Sequence, residues 1–374
     1  MESILNKEFI LKSRVEGNLK DIALKVLSGI RILPEEGLLL YEKGSPGFLA
    51  MLAGHVRSRN NANDAFYIRN FHIEPTNICV NKCRFCSYSH HFSPKKWDFP
   101  VEEMLDTVRK QDDNVREVHI TGAVHPDKDL FYYEDLFHKI KAIRPDIHIK
   151  ALSAVELEYM IKKARISWED GLKFLQASGL DSIPGGGAEI FDEKIRKDIC
   201  PTKASSENWI AIHEAAHRLG ITSNATMLYG HIENYGHRIR HMLLLRESQD
   251  RFGGFNAFIP LKFKNSNNAL SGIREAGVID DMKNYAVARI FLDNFPHLKS
   301  YWPMLGKPLA QLSLAFGVDD MDGTINDSTQ IYSLAGASEQ NPYMTVLEMR
   351  ELITAAGMNP VERDSLYRPI ADSH

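Results

Sequence analysis

Short apolar runs that read as strands recur along the chain, separated by longer stretches in which apolar residues return every three or four positions. The runs are FHIEP from Phe71, EVHITG from Glu117, IHIKAL from Ile147, GLDSIPG from Gly179, TSNATMLYG from Thr222, GFNAFIPL from Gly254, HLKSYWP from His297 and GVDDMDGT from Gly317. Their sustained βα alternation predicts an α/β fold, and the count of about eight is the number that closes a (β/α)8 TIM-type barrel. Between them VEEMLDTVRK, ENWIAIHEAAHRL and DDMKNYAVARIFLDNF have helical spacing and suit an outer ring. Gly or Pro follows most strand ends, at Pro75, Gly122, Pro184, Gly230, Pro260, Pro303 and Gly323, and marks sharp exits into loops on one face. In a barrel of this type that face carries the chemistry.

The barrel is expected over residues 69–330. Residues 1–68 stand outside the strand count: LKDIALKVLSGIRI and PGFLAMLAGHVRSRNN read as helices of an N-terminal extension that caps the barrel's bottom or side. In residues 331–374, TVLEMRELITAAGMNPVERDSLY predicts one amphipathic helix, a Gly and Pro stop, and an extended tail. No linker-like tract, repeat or low-complexity segment interrupts the chain, so one domain is expected.

Composition changes this picture little. A hydrophobic fraction of 44% and a charged fraction of 25% are those of an ordinary globular protein. Forty-five basic residues against 49 acidic ones leave a net charge of -4, no broad footprint for nucleic acid or an anionic membrane, so neither partner is expected. The start MESILNKEF has no charged-then-apolar leader, and no run of about eighteen apolar residues follows, so a cytoplasmic location is expected.

The cysteines change it more. The stretch EPTNICVNKCRFCSYSHH holds Cys79, Cys83 and Cys86, three of the four in the chain, in the loop after the first strand. Three thiolates at that spacing can wrap one metal–sulfur unit, because soft sulfur ligands favour iron–sulfur clusters, zinc or copper. Structural zinc takes four protein ligands, whereas a site one ligand short leaves a position open for an exogenous group. Zinc completed by His90, His91 or Cys200 remains an alternative at this level, as do three buried free thiols.

CVNKCRFC also fits the CxxxCxxC signature of the radical S-adenosylmethionine superfamily, and its place after the first strand is similar too. That resemblance implies a 4Fe-4S cluster on Cys79, Cys83 and Cys86 with one iron left for S-adenosylmethionine, whose cleavage releases a 5'-deoxyadenosyl radical. It implies that Phe85 and Tyr88 flank the adenine. It also implies that TGAVHP, here Gly122 followed by Ala123 where the superfamily pattern has a glycine pair, receives the methionine amino group. Cys200, in ICPTK, is read as structural, since a fourth thiolate would block the open iron.

From about Arg69 to Tyr367 the motifs PGGGAEIF, ICPTK, HEAAHRLGITSNATMLYGHIE, GGFNAFIPL, LDNFPHLKSYWPMLG, DDMDGT and PVERDSLY resemble the aminofutalosine synthase family of the futalosine route to menaquinone. The resemblance implies addition of the adenosyl radical to 3-[(1-carboxyvinyl)oxy]benzoate, aryl migration and loss of a carboxyl group, with S-adenosylmethionine as co-substrate and 6-amino-6-deoxyfutalosine and methionine as products. It further implies a low-potential electron donor such as flavodoxin or ferredoxin. The runner-up families, dehypoxanthine futalosine cyclase and the radical subunit of deazaflavin precursor synthase, use the same radical to abstract hydrogen. From other classes, a zinc-dependent hydrolase and a non-catalytic electron-passing cluster protein remain as readings.

An acceptor with two carboxylates calls for cationic or amide donors, and Arg69, His125, His231, Lys262 and Arg289 are the candidates near strand ends. His125 is also a catalytic candidate, with Pro126 fixing its turn. Glu189, at the end of PGGGAEI, is a candidate acceptor for ribose hydroxyls or the methionine ammonium, and a catalytic candidate. Asn224 and Thr226 alternate along one strand and would face the same side of the sheet, and Ser153 and Glu156 follow the third strand as cofactor-binding candidates.

Overall fold

The computed structural model describes residues 7–324 and 330–370. Among the described residues there are ten strands: β1 (Asp64–Ile68), β2 (Asn70–Ile73), β3 (Glu117–Ile120), β4 (His148–Ala151), β5 (Ser182–Ile183), β6 (Thr222–Tyr229), β7 (Phe255–Lys262), β8 (His297–Leu298), β9 (Asp320–Gly323) and β10 (Asn359–Glu362). Strands β2 to β8 form one sheet in sequence order, every pair parallel, with helices in the connections. This is the expected α/β barrel sheet, curled into a partial barrel of seven strands.

The eighth expected strand forms but joins elsewhere. Strand β9 lies in a three-stranded parallel sheet ordered β10-β1-β9, and a single bridge, Lys299 to Asp320, links it to the end of β8. The first expected strand is β2, which pairs with β3; β1, just before it in the expected helical extension, is a further strand and pairs with β9 and β10. The tail contributes the helix Val346–Ala355, opened by a Thr345/Glu348 capping box, and then β10.

Alternation within the strands sorts side chains between two environments. Val118, Ile120, Ile149, Ala151, Ala225 and Met227 point outward into the core beneath the helices. Each large aliphatic buried there stabilises the fold by about 1.5–3 kcal/mol. The intervening positions, Glu117 and His119, Lys150, and Asn224, Thr226 and Leu228, point into the barrel and line its cavity. The N-terminal helices lie against the barrel's side: Pro46–Asn61 packs on Val278–Phe291, and Pro34–Lys43 on Tyr235–Phe252. Among the described residues no helix is long and apolar enough to cross a membrane.

Candidate active site

The cysteine loop leaves β2 and folds over the mouth of the barrel. Thr76 starts it by accepting the Ala123 amide through its carbonyl at 3.1 Å, and Asn77 holds it from within, donating its side-chain amide to the carbonyls of Tyr88 and Lys95. A tight turn brings the Cys86 amide to the Cys83 carbonyl at 3.1 Å, and the Arg84 amide reaches across to the Ile199 carbonyl. Cys79, Cys83 and Cys86 all line the cavity, and all are free thiols.

Burial pushes the Cys83 and Cys86 thiols above their ordinary range, against the pull of the Lys203 ammonium. An enclosed thiol of this kind is neutral until a metal draws off its proton, so the loop suits a soft-metal centre better than a free nucleophile. Among the described residues no three His, Cys, Asp or Glu side chains gather closely enough to hold a single ion. A cluster does not require that, since its separate irons each take a thiolate. The neighbouring histidines are engaged otherwise: His90 Nδ1 accepts the Cys79 amide at 3.1 Å, and His91 Nε2 sits 2.9 Å from the Cys79 carbonyl. Cys200 is buried, its thiol pushed up by burial to about 11, and does not line the cavity.

Phe85, Tyr88, Gly122 and Ala123 line the same mouth. Tyr88 is fixed by its hydroxyl on the Thr76 carbonyl at 3.1 Å and by the edge of Trp97. A Cβ on Gly122 would meet the Thr76 carbonyl at 3.0 Å, so the small residue there keeps the two loops in contact. The glycine run enters from the opposite wall. Thr226 Oγ1 donates to the Gly185 carbonyl at 2.6 Å, and a Cβ on Gly185 would fall 2.5 Å from the Asn224 carbonyl oxygen. Glu189, at a left-handed φ of 50°, turns its carboxylate back into the cavity, where Lys203 meets it at 2.6 Å. Lys203 also lies over the Phe85 ring at 5.1 Å. Burial works against its charge, but the Glu189 carboxylate at 2.6 Å offsets this and keeps the ammonium charged.

The other candidates divide. Asn224, Thr226, Ser153 and Lys262 line the cavity. Ser153 caps the helix Ala154–Ala164 in a box with Glu156, whose carboxylate accepts the Ser153 amide and hydroxyl at 2.7 Å, and Glu156 stays behind the wall. Lys262 is held by Asp281 at 2.8 Å. Arg69, His125, His231 and Arg289 do not line the cavity. Arg69 pairs with Glu362 on β10 at 3.1 Å; His125 Nδ1 accepts the Asp127 amide within its own turn, and its Nε2 faces Asp98 at 3.8 Å. His231 is wedged between the Leu228 carbonyl and Glu233, and Arg289 is buried against Asp319 and the Gly317 carbonyl. Their partners explain the difference: Arg69 and Arg289 are consumed by carboxylates distant in sequence, and His125 and His231 are held largely by groups of their own turns.

Sequence reasoning passed over Lys203 and a polar layer deeper in the barrel. That layer holds His72, Glu117, His119, Lys150, Lys299 and Asp322, all lining the cavity. The signal was present as charged or imidazole residues at alternate positions inside otherwise apolar strands, EVHI, HIKA and NFHI.

A profile of the radical SAM superfamily matches residues 73–245, and one of the CofH/MqnC C-terminal region matches residues 252–373. The boundary between them falls inside the seven-stranded sheet, so the second region supplies β7 and β8 to the barrel. An aminodeoxyfutalosine synthase of Thermus thermophilus is 42% identical over 93% of this chain and 95% of its own. A cyclic dehypoxanthine futalosine synthase of Streptomyces coelicolor is 37% identical over 94% of this chain and 89% of its own. Among solved structures, methylornithine synthase superposes with a TM-score of 0.72 at 16% identity, covering 91% of this chain and 97% of the other. The hydrogenase maturase HydG from Carboxydothermus hydrogenoformans does so at 0.73 and 16%, covering 94% and 80%.

Proposed function

The chain belongs to the radical S-adenosylmethionine superfamily, in the branch with a CofH/MqnC C-terminal region, and within it we propose that this enzyme transfers the adenosyl group of S-adenosylmethionine to 3-[(1-carboxyvinyl)oxy]benzoate, giving 6-amino-6-deoxyfutalosine and methionine on the futalosine route to menaquinone. The observation that carries this reading is the 42% identity with an aminodeoxyfutalosine synthase across nearly the whole of both chains. The 37% identity with a cyclic dehypoxanthine futalosine synthase supports the same pathway and supplies the competing reaction.

Cys79, Cys83 and Cys86 would hold the superfamily's 4Fe-4S cluster, which when bound supplies the electron that cleaves the sulfonium. Lys203 lowers the cost of thiolates at the mouth, since its ammonium opposes the burial that raises the Cys83 and Cys86 thiols. Phe85 and Tyr88 offer flat faces to the adenine. Glu189, fixed by Lys203, accepts from ribose hydroxyls or the methionine ammonium, and the amides around Gly122 and Ala123 border the same space. The apolar wall of Leu228, Ile259 and Leu261 keeps water from the acceptor while the new bond forms. A soluble low-potential donor such as flavodoxin or ferredoxin would supply the electron, in the cytoplasm.

The test is a choice of acceptors. Reconstituted, anaerobically reduced enzyme with S-adenosylmethionine should consume 3-[(1-carboxyvinyl)oxy]benzoate and leave dehypoxanthine futalosine untouched, as read by chromatography with mass detection. Turnover of dehypoxanthine futalosine alone would assign the cyclase reaction instead.

A further inference from the structure

The deep end of the cavity is built unlike an ordinary barrel interior, which is filled by layers of branched aliphatic side chains. His72, His119 and Lys150 occupy one level of three adjacent strands, in direct register, and all three line the cavity. Register partners share a face of the sheet, so three nitrogen-bearing side chains stand in a row across the floor. Lys299, just past β8, completes the layer from the other side.

Two carboxylates hold this layer together without saturating it. Lys150 Nζ meets Glu117 at 2.6 Å and Lys299 Nζ meets Asp322 at 2.7 Å, all four buried. Burial alone would raise the Glu117 carboxyl, but Lys150, His148 and Lys299 hold it well below the usual range, while burial lowers the Lys150 ammonium against the pull of Glu117. Each ammonium carries three donors, and these ion pairs occupy one apiece. His119 Nε2 is buried with no partner among the described residues, and burial keeps its imidazole neutral. A buried polar atom without a bond is costly, and a protein tolerates it where a ligand supplies the bond. Above this floor stand Tyr301 and Tyr332, with Tyr301 parallel to the His72 ring at 6.4 Å.

The geometry points to a carboxylate subsite at the barrel floor: Lys150, Lys299 and His119 receive the carboxylate of a flat aromatic acid whose ring lies between the tyrosines and the aliphatic wall. This rests on the proposed acceptor and deepens it: the benzoate carboxylate points down to the floor, and the enol ether is left toward the cysteine loop, where the adenosyl group arrives. The row is a positioning device, since none of its members touches the carbons that react.

The test separates this assignment from the reaction itself. Lys299→Met with Asp322→Asn, and Lys150→Met with Glu117→Gln, remove each cation together with its partner and leave no buried charge orphaned. With the parent enzyme, deleting the ring carboxylate from the acceptor should lower kcat/KM about 30-fold, the size of one or two charged hydrogen bonds. The double variants should lose a similar factor on the full acceptor and little further on the truncated one, while acceptor-free release of 5'-deoxyadenosine stays at the parent rate. Variants that discriminate between the two acceptors as the parent does would overturn the subsite. A second measurement needs no variant: by calorimetry, 3-methoxybenzoate should bind the parent protein at least tenfold more tightly than methoxybenzene and compete with the acceptor, and equal binding of the two would also overturn it. If the parent enzyme makes no adduct from either acceptor, the reaction assignment has failed, and calorimetry still decides the subsite.

Discussion

Cys83 is the most enclosed of the three loop thiols, 3% exposed, and burial holds its thiol protonated when nothing is bound. Its role therefore shows only with the metal. Cys83→Ala removes one sulfur from a packed site, a loss the fold should absorb, but two thiolates cannot retain a cluster in its working form. Circular dichroism on the variant should match the parent while iron content and turnover both fall to background; cluster-level iron with retained cleavage of S-adenosylmethionine would remove Cys83 from the ligand set. The cysteines were legible in the sequence because their spacing is itself the chemistry. The cations were less so. Arg289 and Asp319 stand thirty residues apart, and Arg69 and Glu362 nearly three hundred, so the sequence shows a free arginine where the fold shows a satisfied one. Conversely His119 and Lys150 looked like ordinary members of short strands, because alternation tells which residues share a face and not which face encloses a cavity.

The helix Ala154–Ala164 begins behind the cavity wall with a capping box that doubles as a titration site. Burial raises the Glu156 carboxyl from 4.5 to about 7, and its bonds to Ser153 oppose the rise only in part. The folded chain then keeps a proton that the unfolded chain gives up near 4.5. The stability this contributes is complete below pH 4.5 and disappears as pH rises through about 7. Glu156→Gln keeps an acceptor for the Ser153 amide and cannot titrate. Its stability relative to the parent should improve by about 3 kcal/mol between pH 4.5 and 8, measured by denaturant unfolding at several pH values. A gap that does not change with pH would mean that Glu156 is ionised throughout. The box itself was readable as Ser153 and Glu156 three apart before an apolar run, and the structure adds that both sit at the end of β4, one on the cavity and one behind it.

At the scale of the whole molecule, the eight expected strands were legible, whereas β1, β10 and the pairing of β9 were not. A two-residue period announces a strand, but β9 carries no mark that sends it to β1 and β10 in place of closing the barrel on β8. What fixes it is burial of charge. Arg363, just past β10 and fully buried, pairs with Asp320 of β9 at 2.6 Å and lies 4.0 Å from the Tyr367 ring. Arg363→Met would leave Asp320 buried and unpaired, so stability should fall by about 3–5 kcal/mol in chemical denaturation, and adding Asp320→Asn should recover most of it. An unchanged denaturation midpoint for Arg363→Met would show that the tail strand is not held by this pair.

The proposed reaction joins the adenosyl group to an acceptor, the competing one only uses it to take hydrogen, and the 42% identity with an aminodeoxyfutalosine synthase supports the first. The direct measurement is the fate of that group. With reduced enzyme, adenine-labelled S-adenosylmethionine and 3-[(1-carboxyvinyl)oxy]benzoate, coupled turnover should carry the label into a heavier aryl ketone nucleoside, one equivalent per methionine released. If 5'-deoxyadenosine is instead the only labelled product and accumulates in step with turnover, the enzyme abstracts hydrogen and the account of its chemistry is wrong.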